Sequence, residues 1–209
     1  METEEQAYAY AQANFVESNA LFLEKLFKSY PVSNKTKILD VGCGDGEIPI
    51  AIYKLKNSHI TVLDGSLFML NELTRKTSLN KINDIKVVCQ KYEDNDFEEK
   101  SFDLVISNSV LHHVKSPISF WEMSLKLIKD NGRLIVMDLF RPADEIYLSN
   151  ILNQYGGKND VLKKDFENSL RAAYTIQEVE DQLSSFSQIS YLVKCISDRH
   201  FFANIELKK

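Results

Sequence analysis

The 209-residue chain is poor in cysteine, and its three, Cys43, Cys89 and Cys195, form no CxxC pair. An odd count without paired spacing excludes a disulfide framework and gives no support to a zinc knuckle. Free cysteines in or beside expected strands behave as small hydrophobes. They suit a reducing cytosol, so a cytoplasmic location is expected. Long apolar runs are also missing, and nothing approaches membrane-spanning length. Met1 to Gln12 is acidic and polar, unlike a signal peptide with its basic start and apolar run. Basic excess is absent too: 25 Lys and Arg stand against 30 Asp and Glu, for a net charge of -5. A general nucleic-acid binder needs a basic face to neutralise phosphates, so neither nucleic acid nor membrane is an expected partner. Lys158, Lys163 and Lys164 are interrupted by Asp160 and Asp165, the pattern of a solvated helix face. No repeat and no linker rich in Pro, Gly or Ser divides the chain, which is long enough to bury a core without staples.

What is present is an alternation of helical and strand patterns. Glu4 to Tyr30 carries Phe15, Leu21, Phe22, Leu26 and Phe27 at helical spacing and ends at Pro31, which predicts an N-terminal helical cap. Strands are then predicted over Lys37–Gly42, His59–Asp64, Ile85–Gln90, Phe102–Asn108 and Arg133–Leu139, and their near-continuous Val, Ile and Leu content marks a parallel sheet buried on both faces. Helices are predicted over Gly46–Leu55, Ser66–Ser78 from a Ser cap, and Pro117–Lys129 with Pro in its first turn. Asp130-Asn131-Gly132 reads as a turn. Pro142 to Phe186 is mostly helical, broken at Gly156-Gly157, with a Thr175-x-x-Glu178 capping box. Ser187–Cys195 and His200–Leu207 read as closing strands joined around Ser197-Asp198. One domain over residues 1–209 is expected: a cap (1–31), a core (35–139), a helical insertion (142–186) and the closing strands (187–209).

The strongest motif is Lys37-Ile-Leu-Asp-Val-Gly-Cys-Gly-Asp-Gly-Glu47. A buried strand ends near Asp40, the loop carries Gly42, Cys43, Gly44 and Gly46, and a helix begins. Glycines let a ligand approach the backbone, and the helix start offers free N–H groups and a positive dipole end. Ligands of open α/β sheets bind beyond the carboxyl ends of the strands, where this loop sits. A dinucleotide site would show GxGxxG. This loop is GxGxG, with Asp40 at the strand end and Asp45 inside it. Carboxylates there repel a pyrophosphate and suit a ligand bearing an ammonium group.

From about Lys35 to Leu139 the sequence resembles the class I S-adenosylmethionine-dependent methyltransferases, whose E/DxGxGxG loop wraps the methionine part of the cofactor. The resemblance implies an α/β fold: a Rossmann-like three-layer sandwich with a mostly parallel seven-stranded sheet, a C-terminal antiparallel strand and the N-terminal cap. It implies S-adenosyl-L-methionine as cofactor and S-adenosyl-L-homocysteine as product. Asp64, at the end of the second strand, takes the family's ribose-binding position, with Gly65, Ser66 and Met69 near ribose and adenine. Where many members place an Asp for the adenine amino group, this chain has Lys91, a donor that cannot accept. The adenine contact then passes to Glu93 or the backbone of Tyr92. Asn108 and Ser109 end the fourth strand beside the cofactor. Tyr10 corresponds to the tyrosine with which many small-molecule members close over the cofactor, and an aromatic face can hold a sulfonium.

His112 and His113 follow the fourth strand, and no further ligands gather around them for a metal. One packed and one exposed histidine is the plain reading. The functional one sets His113 beside the cofactor and His112 towards the acceptor, where a histidine of near-neutral pKa acts as general base. Asp138 and Arg141 end the fifth strand near the substrate mouth, as functional groups or as a structural ion pair. The candidate bases are His112, His113 and Asp138, in that order. Methyl transfer from a sulfonium is an in-line displacement that needs orientation rather than a protein nucleophile. The chain lacks the NPPY-type segment that amino-methyltransferases of nucleic acids often carry, so a small-molecule acceptor is expected. A non-catalytic S-adenosylmethionine-binding partner protein would carry a spoiled loop, and a nicotinamide dehydrogenase a GxGxxG loop; this loop is neither. Oligomeric state and acceptor identity are not legible.

Overall fold

The computed structural model describes Tyr10, residues 15–157 and residues 159–208 of the chain. Its first helix, α1, spans Val16–Ser29. The amino-terminal part of the expected cap helix, Tyr10 apart, lies outside the described residues. Tyr30 is extended (φ -144°, ψ 133°), as a residue before proline prefers. The core then alternates: β1 (Lys37–Val41), α2 (Glu47–Lys56), β2 (His59–Asp64), α3 (Leu67–Leu79), β3 (Lys86–Cys89), β4 (Phe102–Asn108), α4 (Pro117–Leu127) and β5 (Ile128–Leu139). Three helices follow, α5 (Glu145–Tyr155), α6 (Asp160–Ala172) and α7 (Ile176–Ser184), and then β6 (Ile189–Cys195) and β7 (His200–Leu207).

The seven strands form one sheet in the order β3-β2-β1-β4-β5-β7-β6. The pairs from β3 through β5 are parallel, and β7 runs antiparallel to both β5 and β6. The chain moves outward from β1 to β3, then returns to place β4 on the other side of β1. The crevice above β1 and β4 is therefore a topological switch point, where open α/β sheets bind ligands.

Strand periodicity builds the two faces. Leu39, Val41, Val105, Leu134, Val136, Phe201 and Ala203 pack under Phe120, Trp121, Val179 and Leu183 of α4 and α7. Their alternates Ile38, Leu104, Ile106, Ile135, Met137 and Phe202 pack under α1, α2 and α3 through Phe22, Leu26, Ile48, Ile52, Leu70 and Leu73. Each such side chain fully buried contributes about 1.5–3 kcal/mol, so both layers are firmly seated. The helices after β5 make a small core of their own from Leu139, Leu148, Ile151, Leu170 and Ala173.

Two local expectations need correction. The helix expected to reach Lys129 stops at Leu127, because Ile128 is extended and pairs with Phe102. The register then jumps from Phe102↔Ile128 to Leu104↔Arg133, so Asp130-Asn131-Gly132 is an irregular bulge inside β5 rather than a turn before it. Lys129 Nζ to Asp103 Oδ1 (2.6 Å) and Lys100 Nζ to Asp130 Oδ1 (2.5 Å) hold it. Of the cysteines, only Cys43 is buried; Cys89 and Cys195 are exposed, because both lie on edge strands with one open face. Among the described residues, no helix is long and apolar enough to cross a membrane.

Candidate active site

The loop after β1 is seated on the end of β2. The N–H groups of Gly42 and Cys43 both donate to the Leu63 carbonyl, at 2.7 and 3.3 Å. Gly42 and Gly46 are in the left-handed region, at φ 72° and 83°. A Cβ on Gly42 would lie 2.3 Å from Val110 Cγ2, and one on Gly46 2.7 Å from Leu73 Cγ. Both positions therefore demand glycine for conformation and for space. Asp64 ties the loop to the next helix: its carboxylate accepts from Gly44 N–H at 2.9 Å and from Ser66 N–H at 2.8 Å. Ser66 in turn caps α3 by accepting from Met69 N–H. Gly65 lies against Lys91, whose Cγ is 3.5 Å from where a Cβ would stand. Lys91 thus packs beside Gly65 at the end of β2.

The acids of this loop differ sharply. Asp40 is buried, and its Oδ2 has no hydrogen-bond partner. Burial, and then the charge of Asp64, push its pKa up to about 8. Asp45 is also buried, but its carboxylate is taken by Lys76 of α3 at 2.6 Å. With Asp45 paired to Lys76 and Asp40 protonated at neutral pH, Asp64 is the loop-side acid left to repel a pyrophosphate. Tyr10 is half-buried and rests on the Phe15 ring at 4.6 Å. Burial raises its phenol pKa, and the nearby charges of Asp45, Asp64 and Asp138 raise it further. The tyrosine is thereby among the acids of the crevice.

At the end of β4, Ser107 Oγ donates to the Val41 carbonyl at 2.8 Å, and the buried Asn108 Oδ1 has no partner. Ser109 takes φ 58°, a left-handed conformation that is costly for a non-glycine residue and clusters at working sites. Its N–H donates to the Met137 carbonyl, and the single 3-10 turn Leu111–His113 follows. There the two histidines part. The His112 side chain is 3 % exposed, and its Nδ1 is 2.5 Å from Asp138 Oδ1, itself 1 % exposed. Asp138 also accepts from Leu139 N–H at 2.6 Å and from His112 N–H at 3.4 Å. A carboxylate facing Nδ1 makes that nitrogen the donor and leaves the Nε2 lone pair as acceptor. His113 keeps an exposed edge and lies 3.9 Å from the His112 ring by centroid. The protein packed about its ring, and then His112, push its pKa down to about 4.

Other expected residues fall beside this cluster. Tyr92 opens the 3-10 turn Tyr92–Asp94 and sets its ring edge-on to Phe120 at 5.8 Å, while Glu93 is exposed. Burial and the Glu93 charge push the Tyr92 phenol up to about 12. The ion pair considered between Asp138 and Arg141 does not form. Side chains three apart along an extended chain point to opposite sides, and Arg141 Nη2 meets Glu178 Oε1 at 2.5 Å instead. Glu178 completes the Thr175 capping box. Elsewhere, Glu17, Tyr155, Asp198, Arg199 and His200 help line a cavity of about 330 Å³. There the Arg199 guanidinium stacks over the Tyr155 ring at 3.4 Å, and burial pushes His200 down to about 4. Among the described residues, no cluster of three His, Cys, Asp or Glu side chains forms a metal site. Lys76 is the residue that reading the sequence missed. The signal was there: Met69, Leu73 and Lys76 share one helix face by their spacing.

A parallel sheet with an acid-lined glycine loop at its switch point, and an acid at the end of its second strand, defines a nucleoside-cofactor site of the methyltransferase kind. A family model described as a methyltransferase domain matches residues 39–136. Over that stretch the chain is similar to the methyltransferase domain, in line with its resemblance to the class I S-adenosylmethionine-dependent methyltransferases. The ubiquinone biosynthesis O-methyltransferase of Rickettsia prowazekii (strain Madrid E) is 29% identical over 135 residues, 64% of this chain and 52% of that protein. The chain thus spans about half the length of this curated relative. A SAM-dependent methyltransferase from Aquifex aeolicus superposes with a TM-score of 0.74 at 15% identity, covering 98% of both chains. Haemonchus contortus phosphoethanolamine N-methyltransferase 2, in complex with S-adenosyl-L-methionine, gives 0.74 at 15% identity over 99% of this chain and 58% of that one. At such identities these structures speak for the fold alone.

Proposed function

We propose that this protein transfers the methyl group of S-adenosyl-L-methionine to a hydroxyl oxygen of a small molecule. The observation that carries the reading is a juxtaposition at one sheet edge. The acid-lined loop with the unpartnered Asp40 Oδ2 lies beside the buried His112–Asp138 pair. When bound, the cofactor supplies an electrophilic methyl group on a sulfonium. Asp64 is placed to accept from the ribose hydroxyls, and Asp40 to accept from the ammonium of the methionine part. Gly42, Cys43, Gly44 and Gly46 give that part close access to the backbone, with Gly65, Ser66, Met69, Tyr92 and Glu93 on the ribose and adenine side. Asn108 and Ser109 form the floor, and Tyr10 closes the crevice.

A hydroxyl is a weak nucleophile, so a base that takes its proton as the methyl group arrives accelerates the step, typically by about 10²–10⁴-fold. His112 suits this role because Asp138 fixes its tautomer and stabilises the imidazolium that forms. His113, neutral at pH 7, packs beside it. The relatives' O-methyltransferase names favour oxygen as the acceptor atom. The test uses S-adenosylmethionine with a labelled methyl group, offered with a panel of catechols and phenols. Label recovered as methyl ether supports the reading. Label recovered only on amine acceptors overturns the choice of oxygen.

The raised pKa of Asp40 gives cofactor binding a pH dependence. A carboxyl lifted from the ordinary value of about 3.9 to about 8 is protonated in the free folded protein at neutral pH. Its ionisation opposes folding, so this contribution to stability is present at low pH and is lost as pH climbs through that window. A cationic ligand favours the ionised form. Binding at pH 7 should therefore release a proton, and the dissociation constant for S-adenosylhomocysteine should fall by up to about tenfold per unit between pH 6 and pH 8. Calorimetry in buffers of different ionisation enthalpy reads the proton directly. Asp40→Asn should flatten the profile, and a wild-type constant independent of pH would place the ammonium elsewhere.

A further inference from the structure

One face of α3 presses on the glycine loop along its whole length. Met69 Cε would be 3.2 Å from a Cβ on Gly44, and Leu73 Cγ 2.7 Å from one on Gly46. One turn on, Lys76 Nζ meets Asp45 Oδ2 at 2.6 Å and also bonds Glu47 Oε1. Met69, Leu73 and Lys76 follow one another at four and three residues, the spacing of a single helical stripe. They meet Gly44, Gly46 and the two acids that flank Gly46. At the other end of the same helix, Asp64 accepts from both Gly44 N–H and Ser66 N–H. The loop is thus held at its start by Asp64 and at its end by Lys76. The Lys76–Asp45 contact is well buried, with the two side chains 15% and 9% exposed, while Glu47 is 54% exposed. Burial works against the Lys76 charge, but the hydrogen bonds to Asp45 and Glu47 outweigh it, and its pKa stands above the ordinary lysine value.

We infer that Lys76 is a positioning residue for the cofactor: through Asp45 and Glu47 it fixes the glycine loop in its binding shape before the ligand arrives. The inference rests on the reading of that loop as the S-adenosylmethionine site. The physical reason is preorganisation. A loop with glycines at Gly42, Gly44 and Gly46 has more conformations to lose than most, and a loop already fixed loses fewer when the ligand binds. A buried ion pair does this where a surface pair would not, since removing one partner leaves the other charge buried and alone. Asp45 then swings towards solvent and takes the loop with it.

The same two helices offer a control. Lys54 of α2 donates to Asn80 Oδ1, at the end of α3, at 2.6 Å. This tie joins α2 to α3 without touching the loop. Lys76→Met is expected to raise the dissociation constants of S-adenosylmethionine and S-adenosylhomocysteine by tenfold or more in calorimetric titration. Lys76→Arg should return them to within about threefold of wild type, and Lys54→Met should leave them unchanged. The double variant Lys76→Met/Asp45→Asn removes the stranded charge, so it should fold even where Lys76→Met does not, and it should still bind at least fivefold more weakly than wild type. If the wild type binds while a folded Lys76→Met, or the double variant, binds within twofold of it, the inference is wrong and the cofactor reading stands. If Lys54→Met weakens binding as much as Lys76→Met, the ion pair acts on helix packing alone and the inference is equally wrong. A wild type that binds neither ligand removes the cofactor reading itself.

Discussion

Asp64→Ala should reduce the affinity for S-adenosylmethionine and S-adenosylhomocysteine at least a hundredfold. The carboxylate is half-buried at the end of β2 and faces the crevice above β1 and β4. Two hydroxyls donating to an ionised acceptor are worth about 1.5–3 kcal/mol each, and together they correspond to roughly 10²–10⁴ in affinity. The substitution also releases Gly44 N–H and Ser66 N–H, which lie at the crevice where water can replace the carboxylate. The fold should therefore survive, with a thermal midpoint in the absence of ligand close to that of wild type. Asp64→Asn keeps one acceptor oxygen and loses the charge, so its affinity should fall between the two. Calorimetry with NAD as the control ligand decides the matter. Binding of the alanine variant within threefold of wild type would remove Asp64 from the ribose site, and NAD binding in place of both sulfur ligands would move the chain to dehydrogenase chemistry.

That this position can be argued from one sequence shows what kind of information a sequence carries. The buried strands β1, β4 and β5 announce themselves as apolar runs, and the Gly42-x-Gly44-x-Gly46 spacing marks the turn from strand to helix. Such signals are local, so the order of elements and the place of the crevice are legible. What joins distant segments is not. Nothing in Leu111-His112-His113 says which ring will face the carboxylate 26 residues on. The Asp138 contact arises only because β5 lies beside β4 in the sheet. Likewise Asp45 reads as an open charge until α3 folds down and brings Lys76 across 31 residues. The bulge at Asp130-Asn131-Gly132 is illegible for the same reason. Its residues are those of a turn, and only pairing of Ile128 with Phe102 makes them an interruption within a strand. Cys89 and Cys195 read as small hydrophobes in or beside strands, and their exposure is not legible because strand edges cannot be told from strand centres in short apolar runs.

The second large effect is expected at Asp138. Asp138→Asn should lower kcat by about 10²–10⁴-fold, the range that general base catalysis typically contributes, while the dissociation constant for S-adenosylhomocysteine changes by less than threefold. Asparagine preserves volume in a site that is 1 % exposed, and its carbonyl can still accept from Leu139 N–H or His112 N–H. It has no negative charge, however, and its amide can donate to Nδ1. A donor there moves the histidine proton to Nε2, so the lone pair that would take the acceptor's proton is gone. Alanine is the poorer probe, because it leaves the N–H groups of Leu139 and His112 buried without an acceptor, at about 1–3 kcal/mol for each. Lost activity would then be confounded with lost stability. His112→Gln and the double variant with Asp138→Asn complete the measurement. If the two residues act as one unit, their effects are far from additive, and the double variant should be about as slow as the slower single one. Losses that multiply, or an Asp138→Asn enzyme whose kcat is within fivefold of wild type, would assign the proton transfer to another group. His113 is the next candidate, at 3.9 Å from the His112 ring.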